Sequence, residues 1–349
     1  MNSKTIGRKV LITGITGQTG SYLADLLLEE GCEVHGLVRR SSSFNRSRIE
    51  HLRSNADIYG KQLFLHYSDL NDTTTIRRLL NRIGPDELYH LAGQSHVGLS
   101  FEIPESTCQE IAGATLGILE ICRDLAKSPR IYHASSSEVF GTPAEVPQSE
   151  MTAFRPATPY GCAKAFATNM AGVYRQAHGL FVCNGILYNH ESPRRGENFV
   201  TKKIAAGAAA HARGKAGCLE LGNLGAERDW GYALEYAQAM IRMLRHETPD
   251  DYVVATGTGT SVRDFATAAY GALGTELAFE GAGVEEVGFE RTSGKILVRV
   301  NPHFYRPLEP GRLVGDATKA RKVLEWQPTV TAGELAGIMA KAEMENGLV

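Results

Sequence analysis

The 349-residue chain has no run approaching the ~20 apolar residues that a membrane helix needs. Its first apolar stretch, within MNSKTIGRKVLITG, is only a strand's length, so no secretory leader is expected. It lacks an excess of either charge, because 37 Lys and Arg stand against 39 Asp and Glu. That balance leaves no electrostatic footprint for nucleic acid or an anionic membrane. The six cysteines (Cys32, Cys108, Cys122, Cys162, Cys183, Cys218) form no CxxC pair and lie in apolar surroundings. They read as buried free thiols of a reducing cytoplasm. The eleven histidines include no HExxH and no Cys/His ligand cluster, so no metal site is expected. Repeats, low-complexity tracts and flexible linkers are also missing.

What is there is a rhythm. Short β-rich runs at Arg8–Thr13, Glu33–Val38, Gln62–Tyr67, Glu87–Leu91, Arg130–Ala134 and Phe181–Leu187 alternate with segments of helical period. Those segments are Ser21–Glu30, Thr73–Ile83, roughly Pro104–Ala126, and Tyr160–Ala177. Such alternation predicts an α/β fold, a doubly wound parallel sheet of Rossmann type with helices on both faces. After about Asn189 the rhythm breaks into loops, short strands and helices, which predicts a smaller C-terminal α/β domain. The expected boundaries are 1–189 for the first domain, with about 228–256 rejoining it, and 190–227 plus 257–349 for the second.

The turn after the first strand, VLITGITGQTGSYL, places Gly14, Gly17 and Gly20 between strand and helix. Glycines there let the backbone turn tightly against a pyrophosphate, whose charge suits the helix N-terminus. The spacing is GxxGxxG, and the strand before and helix after it supply the context that gives it meaning. An NAD site usually closes the second strand with Asp or Glu. Here that strand ends GLVRRSSS, with Arg39 and Arg40 and no acid. Guanidinium groups suit a 2′-phosphate, which favours NADP; the other reading is a solvated surface pair.

In TPYGCAK, Tyr160 and Lys164 lie one helical turn apart on one face, with Thr158 and Pro159 set to start the helix. A nearby ammonium stabilises phenolate, making the tyrosine a base for a sugar hydroxyl. Upstream, IYHASSSEVFG is a short strand running into three serines and Glu138. A carboxylate at a strand mouth is costly to desolvate without a partner or a task, and taken alone Glu138 points equally well into solvent.

These motifs, with SSSFNRSRIEHL, LAGQSHVGLSFE, NGILYNHESPRRGENFVTKKI, GNLGAERDWG and FYRPLEPGRLVGDATKARKVLEWQP, cover nearly the whole chain. Together they resemble the extended short-chain dehydrogenase/reductases, and within them the GDP-mannose 4,6-dehydratase family. The resemblance implies an NADP-dependent lyase, cytoplasmic, acting on a small-molecule GDP-sugar with no nucleic-acid or membrane partner. It makes the C-terminal domain the sugar-nucleotide-binding one. Tyr160 would deprotonate O4, Ser136 would hydrogen-bond it, and Lys164 would hold the cofactor ribose. Glu138 would take the C5 proton and help the C6 hydroxyl leave.

By the same resemblance the cofactor residues are Gly14, Thr16, Gly17, Gln18, Thr19, Gly20, Arg39, Asp69, Leu70, Leu91, Ala92, Gln94 and Ser95. Tyr160, Lys164, His190 and Arg195 join them. Asn189, Lys203, Arg228 and Arg306 would grip the GDP, although Lys203 and Arg306 also read as surface charges. The RRSSSFNRSR loop, with Arg39, Arg40, Arg46 and Arg48, would reach a neighbouring subunit in a homo-oligomer, dimer or tetramer; an exposed basic loop is the other reading. The chain departs from the family pattern at Ser136 (usually Thr), Thr19 (Asp), Gly93 (Ala) and Gly225 (Asp). These departures leave a related GDP-sugar such as a GDP-heptose as an alternative substrate. A GDP-keto-sugar reductase or epimerase, or a non-catalytic dinucleotide-binding scaffold, would have no need for Glu138.

Overall fold

The apolar runs of the first half form β1 (Lys9–Thr13), β2 (Glu33–Val38), β3 (Leu63–Tyr67), β4 (Glu87–His90), β5 (Arg130–Ala134) and β6 (Val182–Leu187). The computed structural model describes residues 7–40, 46–215, 217–305 and 312–346. A seventh strand, Asp251–Val254, lies beside β6, and the order runs from it through β6, β5, β4, β1 and β2 to β3. Every neighbouring pair is parallel. The sheet is the expected doubly wound α/β arrangement, and its order reverses at β1, the place where such sheets bind ligands.

Alternation along β1 shows why the sheet is covered on both faces. Val10 and Ile12 pack with Leu23 and Leu27 of α1 (Gln18–Glu29) and with Tyr236 and Met240 of the Ala233–Arg245 helix. Leu11, between them, joins Ile76, Leu80, Ile118, Cys122 and Tyr174 on the other side. Each large side chain so buried contributes ~1.5–3 kcal/mol.

The described residues divide into two compact units. The first is drawn from Met1–Leu187, Ala233–Val254 and Asp316–Gln327, and the second from Tyr188–Tyr232, Ala255–Gly315 and Pro328–Val349. The second contains a three-stranded sheet (Gly259–Ser261, Glu227–Tyr232, Asn189–Glu191) and a four-stranded one (Leu277–Glu280, Val287–Glu290, Ile296–Val300, Leu219–Leu221). Its core gathers Ile204, Trp230, Phe265 and Met339. There the fully buried Asp229 carboxylate accepts from Thr256 N and Oγ1, Gly257 N and Gly315 N, so it binds two separate loops to its own strand.

Three expectations change. The helix expected over 104–126 is broken into Pro104–Cys108, a π-turn at Gln109–Gly113, and Ala114–Asp124. The wider turn shifts the helical register: Ile111 packs with Tyr160, Ala163 and Ala167, while Ile118, Leu119 and Cys122 face the sheet. Cys108 and Cys162 are exposed rather than buried, because each sits on an outward helix face. Finally, Asp316–Gln327, expected in the second domain, belongs to the first unit, whereas 228–232 belong to the second. Trp326 explains the return. It is buried, donates its Nε1–H to Glu235 O at 2.9 Å, and meets Tyr236 edge-on at 5.8 Å. Among the described residues no helix is long and apolar enough to cross a membrane.

Trp326→Ala should therefore lower the stability of the first unit by about 3–5 kcal/mol, read from a shifted denaturant midpoint. An unchanged midpoint would remove Trp326 from that core.

Candidate active site

The site starts where the strand order reverses. β1 ends at Thr13, and the chain turns through Gly14 into α1. Gly14 has a φ of +76°, and a Cβ there would lie 3.0 Å from Ala92 N. A Cβ on Gly20 would lie 2.2 Å from Gly14 O, so only glycine lets the first turn of α1 close onto the loop. Gly17 N donates to Gly14 O at 2.9 Å, and no side chain caps α1 at Gly17. A tight backbone cradle at a helix start without a side-chain cap fits a phosphate. Gln18 is buried within it, and Thr16 and Thr19 are half-buried.

A threonine that sequence reasoning missed joins this turn to β4. Thr13 Oγ1 accepts from Leu91 N at 3.0 Å and Ala92 N at 3.1 Å. With both lone pairs engaged, its own hydrogen goes to His90 Nδ1 at 2.9 Å. His90 is then protonated on Nε2, which donates to Thr115 Oγ1 at 3.2 Å. Its place immediately before Gly14 is the one signal that could have singled out Thr13.

The remaining first-unit residues expected to face a cofactor follow the strand ends. Arg39 follows β2 with a side chain 66% exposed, and its nearest carboxylate oxygen, on Glu110, is 3.7 Å away. Asp69 follows β3, exposed, while Leu70 is buried. Gln94 Nε2 donates to His96 O at 2.9 Å, and Ser95 beside it is exposed. From the basic loop, Arg48 returns to the glycine turn, donating to Thr16 O at 3.3 Å. Residues 41–45 of that loop lie outside the described residues.

The second constellation sits after β5 and at the start of the Pro159–His178 helix. Thr158 Oγ1 accepts from Gly161 N at 2.9 Å and Pro159 takes the first helical position, so the cap fixes where Tyr160 stands. Lys164 is buried, donates to Ala134 O at 2.6 Å, and sits 5.8 Å from the Tyr160 ring centre. Burial lowers its pKa to about 8. Ser136 Oγ caps a 3-10 turn, Ser137–Val139, by accepting from Glu138 N at 3.2 Å. Ser136 and Glu138 are both half-buried.

Two histidines beside this lysine are kept neutral. Burial first, and then the Lys164 charge, lowers His90 to about 3. His133 is pushed well below its ordinary value for the same reasons, with His90 adding to them. The Asn184 amide donates to Thr168 O at 3.1 Å and Asp251 Oδ1 at 2.8 Å. Its carbonyl oxygen therefore accepts from His133 Nδ1 at 2.8 Å, which fixes that tautomer too.

The second unit holds the other residues singled out. Asn189 and His190 lie on the short strand Asn189–Glu191, where Asn189 registers with Trp230, two residues beyond Arg228. Arg195 Nε lies 2.9 Å from the buried Glu191 carboxylate, and its guanidinium stacks 3.5 Å above the Phe199 ring. Burial lowers His190 to about 4, helped by Arg195. Lys203 is exposed and lies 5.5 Å over Phe304. Arg306 lies outside the described residues.

A family model described as GDP-mannose 4,6 dehydratase matches residues 11–339. A Caenorhabditis elegans protein named GDP-mannose 4,6 dehydratase 2 is 50% identical over 343 residues, 97% of this chain and 89% of that one. A human GDP-mannose 4,6 dehydratase is 48% identical over 339 residues, 96% and 91% of the two chains. Among solved structures, a Streptomyces venezuelae dTDP-glucose 4,6-dehydratase with NAD and TYD bound has a TM-score of 0.80, at 22% identity over 97% of each chain. RMD from Pseudomonas aeruginosa, complexed with NADPH, has a TM-score of 0.75 at 20% identity, over 97% of this chain and 99% of that one. At such identities the likeness to both structures is one of fold.

The buried lysine makes a measurable prediction. Its folded pKa, about 8, lies below the 10.5 of an unperturbed lysine, so the buried charge weakens the fold below pH 8. That weakness is relieved as pH rises from 8 toward 10.5, because there the unfolded chain binds the extra proton. Lys164→Met should raise the melting temperature of the cofactor-free protein at pH 7, and the gain should shrink between pH 8 and 10. A lowered melting temperature at pH 7 would contradict this.

Proposed function

The chain belongs to the GDP-mannose 4,6-dehydratase family, and from that premise we propose how its residues carry out the reaction. The protein is a lyase that removes water from GDP-mannose to give GDP-4-keto-6-deoxymannose, with a nicotinamide dinucleotide as cofactor. A bound nicotinamide would supply the redox chemistry of the reaction, as acceptor of hydride from C4 and its donor to C6. Gly14, Gly17 and Gly20 cradle its pyrophosphate. Asp69, Leu70, Leu91, Ala92, Gln94 and Ser95 line it on the first unit, with His190 and Arg195 as further contacts.

In our reading Tyr160 takes the O4 proton, and Ser136 holds that oxygen by a hydrogen bond. Lys164 donates to the ribose, and its charge stabilises the phenolate. Oxidation at C4 leaves the C5 proton acidic, because the carbanion is delocalised as an enolate. Glu138 takes that proton and delivers a proton to the departing C6 hydroxyl, which leaves as water. The observation that carries this reading is the packing of Glu138 against the Tyr160 helix. A Cβ on Gly161 would lie 2.6 Å from Glu138 O, so the carboxylate-bearing turn and the start of that helix are in direct contact.

For the nucleotide, Asn189, Lys203, Arg228 and Arg306 supply the directional donors and charge that a diphosphate requires. NADP is our preferred cofactor, because the exposed Arg39 side chain ends β2 where an NAD site would place an acid. A homo-oligomer in the cytoplasm completes the proposal.

Mass spectrometry of GDP-mannose incubated with the protein and catalytic NADP should show loss of one water without accumulating reduced cofactor. An unchanged mass from folded, cofactor-bound protein would rule out this substrate. Arg39→Ala should raise the NADP dissociation constant by roughly tenfold or more and leave NAD almost unaffected, as expected for a lost charge-assisted contact to a 2′-phosphate. Equal weakening of both would defeat the preference for NADP.

A further inference from the structure

Two buried hydroxyls beneath the candidate site have no part in the chemistry just described. Ser135 is 3% exposed and Thr168 is 2% exposed. Their oxygens are 2.6 Å apart, and Thr168 Oγ1 also donates to Lys164 O at 2.8 Å. A hydroxyl has one hydrogen, so Ser135 is the donor in the shared contact and Thr168 the acceptor. Asn184 Nδ2 holds the Thr168 backbone from the sheet side, at 3.1 Å from its carbonyl oxygen.

The location of this contact gives it significance. Ser135 immediately precedes the turn that carries Ser136 and Glu138, and Thr168 lies one helical turn after Lys164. At its far end the same turn abuts the same helix, where Glu138 O meets Gly161. The turn is thus tied to the helix at two points, one beside Tyr160 and one just past Lys164. Ser136, Glu138, Tyr160 and Lys164, the four groups given roles in the reaction above, sit at or between those points.

We propose that Ser135 and Thr168 are positioning residues for the dehydration. Their hydrogen bond sets the Glu138 turn against the Tyr160–Lys164 helix, so that oxidation at C4 is followed by water loss before the oxidised sugar escapes. The proposal rests on the roles given to Tyr160 and Glu138. Loosening the clamp leaves each group on its own element and changes the distance between them. A misplacement of ~1 Å at a reacting centre can cost about a hundredfold in rate. The step to suffer is the second one, which needs Glu138 to meet C5 and C6 of a sugar held by the helix.

The test is a single turnover of the full chain loaded with NADP, with GDP-mannose as substrate. Reduced cofactor is followed by absorbance, and sugar masses with and without water loss by mass spectrometry. Thr168→Val keeps the side-chain shape but leaves the buried Ser135 hydroxyl without its acceptor, so it should be more severe than Ser135→Ala. We expect transient reduced cofactor and a C4-oxidised sugar retaining its water to rise at least tenfold, with the cofactor dissociation constant unchanged. Thr168→Ser should restore the wild-type ratio, and the double variant should be no worse than Thr168→Val alone, as for one shared interaction.

A wild-type ratio in both variants, or multiplied effects in the double variant, would overturn the clamp. Slow turnover that merely follows a lower melting temperature would do the same. Glu138→Gln, run in parallel, separates the two ideas. If it stops at the oxidised sugar while Thr168→Val does not, the clamp alone fails. If it loses water normally, the role of Glu138 falls and the clamp with it.

Discussion

A protonated lysine buried in a folded protein is a constraint that its neighbours must meet. Among the described residues Lys164 makes no salt bridge; its hydrogen bond goes to the Ala134 carbonyl. Around it His90 and His133 are held neutral, each with its tautomer set by a partner on a neighbouring strand. A second positive charge there would deepen the desolvation cost. The strand ends, the helix cap and the serine turn are arranged around a cation whose energy falls when it finds an anionic or hydroxyl partner. The structure therefore keeps a destabilising buried charge at the candidate site, a common trade between stability and function.

The glycine turn meets a different requirement with the same means. Gly14 and Gly20 bring backbone against backbone, and Thr13 draws the end of β4 against it. None of these contacts depends on a charged side chain. Arg39, beyond the end of β2, is by contrast largely exposed and reaches only the Glu110 carboxylate, at 3.7 Å.

Much of the fold was legible because it is written in local periods. The parallel strands are apolar runs, and α1 and the Tyr160 helix carry their own start signals in glycine and in Thr-Pro. The candidate site residues were picked out for a similar reason: Tyr160 and Lys164 form a short-range helical pair, while Ser136 and Glu138 gained their proposed roles only from the family resemblance. What stayed hidden depends on long-range pairing. The Thr13 hydroxyl matters because of backbone amides at positions 91 and 92, and Asp229 because of amides at 256, 257 and 315. The break at Gln109–Gly113 was equally unreadable, because a π-turn is a register choice settled by packing on the Tyr160 helix. Six scattered cysteines gave no hint that Cys108 and Cys162 would face outward, since exposure follows helix phase rather than composition.

The return of Asp316–Gln327 to the first unit has a consequence for synthesis. Trp326 completes a core that otherwise draws on residues up to 187 and on 233–254. A nascent chain that has already made all seven strands of the large sheet still lacks this piece, and the second unit's Tyr188–Tyr232 and Ala255–Gly315 segments must emerge before it arrives. Until then the Ala233–Arg245 helix lacks the Trp326 ring that packs edge-on against Tyr236. Folding during translation, which usually completes an N-terminal domain first, is here obliged to finish that unit late. Neither unit can be excised as one continuous segment, so isolated halves of this protein are poor candidates for independent expression.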